Sequence, residues 1–242
     1  MPTKRDYALE TQNRIKFIRE ILSSAGADGV VFGNSGGKDC ALVGMLCKKA
    51  CENTVGVIMP CEVKRNFEED KTDAEIVAEW SGTSTRFVDI TDAKNAILQA
   101  IDEKALNNQA LSNIAPRLRM TTLYTIAANE NKLVAGTGNR SEIHMGYFTK
   151  WGDGAYDFNP IADLTVTEVY EFLRYLDAPD IIFNKPPSAG LFEGQTDEQE
   201  MGVTYASIDE FLLNGDSPDR DVIGRYHSIS GHKRKMPAVY SQ

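Results

Sequence analysis

Residues 29–40 read Gly-Val-Val-Phe-Gly-Asn-Ser-Gly-Gly-Lys-Asp-Cys. The apolar run Val30 to Phe32 reads as a buried strand that passes into a turn with two adjacent glycines, and a helix is expected to open at Lys38. Glycine lets a backbone pass close to an anion, and the free N–H groups of a helix's first turn point at it. Gly33, Asn34, Ser35, Gly36, Gly37, Lys38, Asp39 and Cys40 are therefore expected to cradle phosphate. The spacing is neither the Gly-x-x-x-x-Gly-Lys-Ser/Thr of a Walker A loop nor the Gly-x-Gly-x-x-Gly of a dinucleotide fingerprint.

Outward from this loop, helical and strand patterns alternate. Residues 6–25 place Leu9, Ile15, Ile18, Ile21 and Leu22 near helical spacing before Gly26. The pattern then predicts a helix over 38–52, a buried strand over 55–59 and a helix over 68–81. A strand over 86–90, a helix over 92–106, a long helix over 112–131 and a strand over 133–136 follow. Strands apolar on both faces and separated by helices predict an α/β fold, an open parallel sheet with helices on both faces. Such sheets bind ligands beyond the carboxyl ends of their strands. The first strand ends in the Ser35 loop and the fourth in Gly136-Thr137-Gly138-Asn139, so a site is expected there.

The C-terminal segment is more irregular. Thr165-x-x-Glu168 is a capping box for a helix over 166–176, and Ser207-x-x-Glu210 reads as the cap of another. Asn184 to Thr204 reads as a loop whose Leu191, Phe192 and Met201 suit ordering over a ligand. No domain boundary is evident, and residues 1–242 read as a single domain.

Composition narrows the partners. Hydrophobic residues make up 42% and charged residues 25%, ordinary globular values. No apolar run approaches the ~20 residues of a membrane span. Met1 to Asp6 lacks the apolar core of a signal peptide, so a cytoplasmic protein is expected. The net charge of −9 argues against a nucleic-acid partner, with His232-Lys233-Arg234-Lys235 the local basic exception. Cys40, Cys47, Cys51 and Cys61 match no zinc spacing and read as small buried hydrophobes.

Four motifs carry a resemblance. They are the Ser35 loop; Gly136 to Glu142 with Gly146 to Gly154 and Asp157; Lys185 to Glu198; and His232 to Pro237. Together they resemble ammonia-dependent NAD synthetase, within the N-type ATP pyrophosphatases, over residue 6 to the C-terminus. The resemblance implies a Rossmann-like, adenine nucleotide alpha hydrolase-like fold. It also implies a reaction: the carboxylate of deamido-NAD (nicotinic acid adenine dinucleotide) is adenylated by ATP, pyrophosphate leaves, and ammonia displaces AMP. Two other readings stay open here, another adenylating amidotransferase and a catalytically silent nucleotide binder.

The resemblance also implies roles. The loop from Gly33 to Cys40, Thr137 and Ser188 would bind ATP, and Asp39 and Glu142 would hold Mg²⁺. Arg117, Lys150, Asp157, His232 and Lys233 would bind deamido-NAD, and Asp153 would handle incoming ammonium. A homodimer is implied too, and the apolar content of the helix around Arg117 to Asn129 fits one. The segment from Lys185 to Asp197 is expected to order over the bound ligands. Two departures stand out: Cys40 replaces the usual serine, and Val166 stands where many members carry a lysine. Lys38 is the expected substitute cation.

Overall fold

Val30, Val31 and Phe32 are fully buried in the middle of a parallel sheet, as their unbroken apolar run requires. The computed structural model describes residues 5–62, 67, 69–101, 106–184 and 196–240. Its strands are β1 (Gly29–Gly33), β2 (Thr54–Ile58), β3 (Ser84–Phe87) and β4 (Lys132–Val134). They lie in the order β3-β2-β1-β4, all parallel, with Val31 opposite Val55 on one side and Val134 on the other. The chain steps outward from β1 to β3 and then returns to place β4 against the far side of β1. The order reverses between β1 and β4, the point where open sheets hold ligands.

The helices of the first half are α1 (Tyr7–Ala25), α2 (Lys38–Ala50), α3 (Glu69–Ser81), α4 (Thr91–Ile101), α5 (Asn108–Ser112) and α6 (Ile114–Glu130). Asp6 caps α1 by accepting from the Ala8 and Leu9 amides, and Gly26 ends it with φ +62°. Alternation along β1 sends Val30 and Phe32 to one face and Val31 to the other. The first face packs on α1 and α2, and the second on Leu123 and Ala127 of α6. Gly44 lets α2 lie close to β1, since a Cβ there would stand 2.8 Å from Cζ of Phe32. Because α6 ends immediately before β4 begins, its N-terminal turn stands at the carboxyl edge of the sheet.

The second half contributes α7 (Arg140–Met145), α8 (Val166–Tyr175), α9 (Asp180–Asn184), α10 (Asp197–Met201), α11 (Tyr205–Asn214) and α12 (Arg220–Ile229). A 3₁₀ turn, Gly231–Lys233, follows. Met145, Val166, Met201, Val203, Tyr205, Ile208 and Ile223 form a second core among these helices. Buried Asp209 joins three of them, accepting from Oγ of Ser141 at 2.5 Å and from the Thr167 amide at 2.7 Å. Asp209→Ala leaves both donors unpaired, and we expect it to cost about 3 kcal/mol. Equilibrium urea unfolding checks this; a midpoint equal to that of the unsubstituted protein would refute the assignment.

Several boundaries differ from the sequence reading. The third strand is Ser84–Phe87 rather than 86–90, because Val88 and Ile90 lie beyond the edge and bond to Ile58 and Pro60 carbonyls as a trailing segment. The expected helix over 112–131 is present as Ile114–Glu130, with a separate short helix, Asn108–Ser112, before it, and the described part of the helix preceding that ends at Ile101. Thr204, not Ser207, caps α11: the Ser207 hydroxyl lies 2.6 Å from both Ser217 and Asp219 and is already engaged. The expected loop over 184–204 contains α10, and α12 was not anticipated at all. Cys40, Cys47 and Cys61 are buried, Cys51 partly so, and all four are free thiols. Among the described residues no helix is long and apolar enough to cross a membrane.

Candidate active site at the carboxyl edge of the sheet

The loop after β1 is held by its own side chains. Asn34 donates to the Ala74 carbonyl at 2.9 Å while its Oδ1 accepts from the Gly36 amide at 3.1 Å. Gly37 occupies the N-cap position of α2 without a side-chain cap, so the first-turn amides face outward for an anion. Oγ of Ser35 stands 3.3 Å from Sγ of Cys40, and Ser35 itself is exposed. The thiol that replaces the expected serine therefore points into the loop rather than away from it.

Carboxylates from two helices meet above this loop. Lys38 is buried, and its Nζ lies 2.8 Å from Oδ2 of Asp39 and 3.9 Å from Oε1 of Glu142. Asn139 donates to Oδ1 of Asp39 at 3.1 Å and caps α7 by accepting from the Glu142 amide. Glu142 completes that capping box by accepting from the Asn139 amide at 3.1 Å. The rings of Tyr170 and Tyr205 stand 6.0 and 5.5 Å from the ammonium. Burial works against the charge on Lys38, but Asp39 and Glu142 together hold it above the usual lysine range. Burial, and then the charge of Asp39, push Glu142 up to about 8. Asp39 and Glu142, here paired with the Lys38 ammonium, are hard oxygen donors beside a phosphate loop, and Mg²⁺ takes one or two such carboxylates and completes its shell with water and phosphate.

The raised Glu142 predicts a pH dependence. The folded state keeps a proton that the unfolded chain has released, so stability falls as pH rises from 4.5 toward 8. Below about pH 6.5 His144 acts in the opposite sense, because burial and the adjacent His227 push it down to about 4. The clean window is therefore 6.5–8. Thermal unfolding in chelator should show the midpoint falling across that window, and a flatter profile in Glu142→Gln. Parallel profiles for the two proteins would contradict the assignment.

A second cluster lies on the turn after α7. Asp153 accepts from the Thr149 amide at 2.9 Å, and Thr149 bonds Asn113 at 2.6 Å, fastening this turn to the start of α6. Asp153 is open to solvent, yet it is so surrounded by protein that burial raises its pKa against the pull of Arg119 and Lys233. Lys233 donates to the carbonyls of Gly146 and Phe148 at 2.8 and 2.6 Å, and Lys150 donates to the His232 carbonyl at 2.7 Å. The basic segment at 232–234 is therefore anchored to the end of α7.

The expected site residues thus divide. The structure brings together Lys38, Asp39 and Glu142, with Thr137 on the segment between β4 and α7, and separately Lys150, Asp153, His232 and Lys233. Asp157 is tied to the sheet, accepting from the Val134 amide at 2.7 Å and from Tyr124 at 3.2 Å. Arg117 is exposed on α6 and joins neither cluster. Ser188 and the segment 185–195 lie outside the described residues. Val166 is buried in the second core, where a lysine ammonium would have no place without rearrangement. Lys38, the expected substitute cation, is paired with Asp39 and Glu142. Asn139 and Arg119 were missed; the Asn-x-x-Glu spacing was a readable signal for the first.

This arrangement can hold a nucleoside triphosphate with a divalent cation at the sheet's switch point and a second substrate beside Asp153. A model of the NAD synthase family matches residues 10–237, almost the whole chain. The chain belongs to the NAD synthase family. It is 46% identical over 236 residues to the NH(3)-dependent NAD(+) synthetase of Carboxydothermus hydrogenoformans, covering 95% of this chain and 96% of that one. The corresponding protein of Alkaliphilus metalliredigens is 44% identical over 247 residues, covering 97% and 98%. Among solved structures, an NMN synthetase from Francisella tularensis superposes with a TM-score of 0.92 at 36% identity, covering 99% of this chain and 100% of that one. An NH3-dependent NAD synthetase from Campylobacter jejuni gives 0.81 at 30% identity, covering 98% and 100%. NAD synthase membership agrees with the fold expected from the Ser35 loop and with the four-stranded parallel sheet.

Proposed function

We propose that this NAD synthase family member amidates deamido-NAD with ammonia at the expense of ATP, yielding NAD, AMP and pyrophosphate. The observation that carries the reading is the meeting of Asp39 and Glu142 at the buried Lys38 ammonium beside the phosphate loop. The near-complete overlap with NH(3)-dependent relatives supports it, as residues 1–242 then act as one synthetase domain. Ammonia is the proposed donor because the relatives that match over nearly their whole length are NH(3)-dependent synthetases.

The chemistry follows from the geometry. The first-turn amides of α2, from Lys38 onward, and the Ser35 hydroxyl hold the triphosphate at the start of α2. Asp39 and Glu142 would hold Mg²⁺, whose bound charge offsets repulsion between the triphosphate and the second substrate's carboxylate. Lys38 supplies a fixed cation in the same place, in the absence of a lysine at 166. Lys150, His232 and Lys233 line the side where the second substrate enters, and Arg117, exposed on α6, suits a contact made across a homodimer. Asp153, with its raised pKa, accepts a proton from ammonium so that neutral ammonia can attack. Four free thiols agree with a reducing cytoplasm.

A second reading has one observation behind it, the TM-score of 0.92 to an NMN synthetase. On that reading the acid amidated is the pyridine mononucleotide rather than the dinucleotide. One competition assay tests both. Purified protein receives ATP, Mg²⁺ and ammonium with equal deamido-NAD and nicotinic acid mononucleotide, and the two amides are quantified. Predominant NAD supports the first reading, predominant NMN the second, and neither amide rejects both. Equal rates with glutamine and ammonium would reject the ammonia assignment, and a fully active monomer by light scattering would reject the dimer.

A further inference from the structure

Arg119 has a setting that none of the roles above uses. It lies on α6 one turn before Leu123, and Leu123 packs within 3.8 Å of where a Cβ on Gly33 would stand. Since α6 begins at the carboxyl edge, one turn further toward its start lifts Arg119 about 6 Å beyond that level, over the phosphate loop. Its Nε donates to the Met59 carbonyl, just past the end of β2, at 3.1 Å. That bond fixes the plane of the guanidinium and leaves both terminal nitrogens without a hydrogen bond among the described residues. No carboxylate of the described residues lies within ion-pair distance of it, although its charge interacts with Cys61, Asp153, Asp70 and Cys40. Those four come from just beyond β2, the turn after α7, α3 and the phosphate loop, so the guanidinium stands between that loop and the Asp153 turn. Burial lowers its pKa, as expected of a cation removed from water without a counterion. A partly buried cation of this kind gains most from an anion delivered by a ligand.

We propose that Arg119 is a catalytic residue of the adenylation step, its two free guanidinium nitrogens gripping the nonbridging oxygens of the ATP α-phosphate. The inference rests on the ATP-dependent amidation proposed above. In that step a lone pair of the substrate carboxylate forms the new O–Pα bond. The bond from Pα to the bridging oxygen of the β-phosphate breaks, and pyrophosphate leaves with that electron pair. Negative charge on the nonbridging oxygens is drawn toward a fixed, planar donor pair that needs no reorganisation. The grip is made at the seam where the loop-bound phosphate meets the acid held on the Asp153 side.

The test is exchange of labelled pyrophosphate into ATP, dependent on deamido-NAD and free of any ammonia step. Arg119→Gln should slow exchange about a hundredfold while the ATP dissociation constant stays within about threefold. Arg119→Ala should lose as much and recover in part with millimolar guanidinium, which a purely structural arginine would not permit. Should the glutamine variant fail to fold, Arg119→Lys carries the test. Lysine keeps the charge but not the fork, so a rate about tenfold lower with unchanged KM for ATP is expected. Exchange within threefold of the unsubstituted protein, or a loss matched by equal loss of ATP affinity, overturns the proposal. Absence of exchange in the unsubstituted protein overturns the amidation reading and this inference with it.

Discussion

Asp39→Ala and Glu142→Ala should each lower the rate of amide formation about a thousandfold while leaving a cooperatively folded protein. Both side chains project from helix starts at the sheet edge, and neither belongs to an apolar cluster. Asp39→Ala removes the partner 2.8 Å from Lys38 and the acceptor for Asn139, leaving a buried ammonium to face Glu142 alone. Its cost to folding is that of a weakened ion pair, while Mg²⁺ would lose one of the two carboxylates proposed to hold it. Glu142→Ala also deletes half of the α7 capping box, about 1 kcal/mol. Glu142→Gln separates the two effects, because its amide oxygen still accepts from the Asn139 amide while the charge is gone. Rates of NAD formation, read beside thermal unfolding curves, decide the matter. Activity near that of the unsubstituted protein in either alanine variant would exclude that side chain as a metal ligand.

Gly36→Ala should damage both stability and nucleotide binding. Gly36 has φ +73°, and a Cβ there would stand 2.5 Å from Cβ of Asp73 and 2.7 Å from the Ala74 amide nitrogen. Those atoms belong to α3, whose backbone is also gripped by Asn34 through the Ala74 carbonyl, so neither side can give way. Left-handed backbone and the clash together should cost about 3 kcal/mol, and the loop should lose the curvature that aims its amides. Gly37→Ala is the control, with its nearest neighbour, Oγ of Ser35, at 3.3 Å and an ordinary φ. Calorimetric melting and ATP titration of the pair should therefore diverge. Equal melting temperatures would show that the loop tolerates a side chain at 36.

How far the chain could be read in advance depended on how local the signal was. The run from Val30 to Phe32 and the glycines after it announce a buried parallel strand and a phosphate loop. Thr165 and Glu168 announce a helix start because the capping box is complete within four residues. The third strand resisted because residues 84–87 are mostly exposed at the sheet edge and carry no apolar alternation. Helix α12 buries Ile223 alone, with Val222 and Tyr226 leaning on the second core, too thin a stripe to stand out. The site was legible as a set of residue types and not as a shape. The hydrogen bond from Asn139 to Asp39 joins positions a hundred residues apart, and only the register of β1 with β4 brings them together. Arg119 was hidden for a similar reason, since nothing in its neighbours distinguishes it from exposed Arg117 two positions earlier.

The anchoring of residues 230–234 to α7 has a consequence for synthesis. Lys233 and Arg234 occupy the carbonyls of Ile143, His144, Gly146 and Phe148, the tail end of the helix that presents Glu142. A ribosome-bound chain will have released the phosphate loop long before it releases these two cations. During that interval the nucleotide half of the machinery exists with its facing helix unfastened at one end. A chain cut before Lys233 stays in that condition, with the far end of that helix unfastened. Lys233 and Arg234 thus fasten, from far along the chain, the helix that carries Glu142.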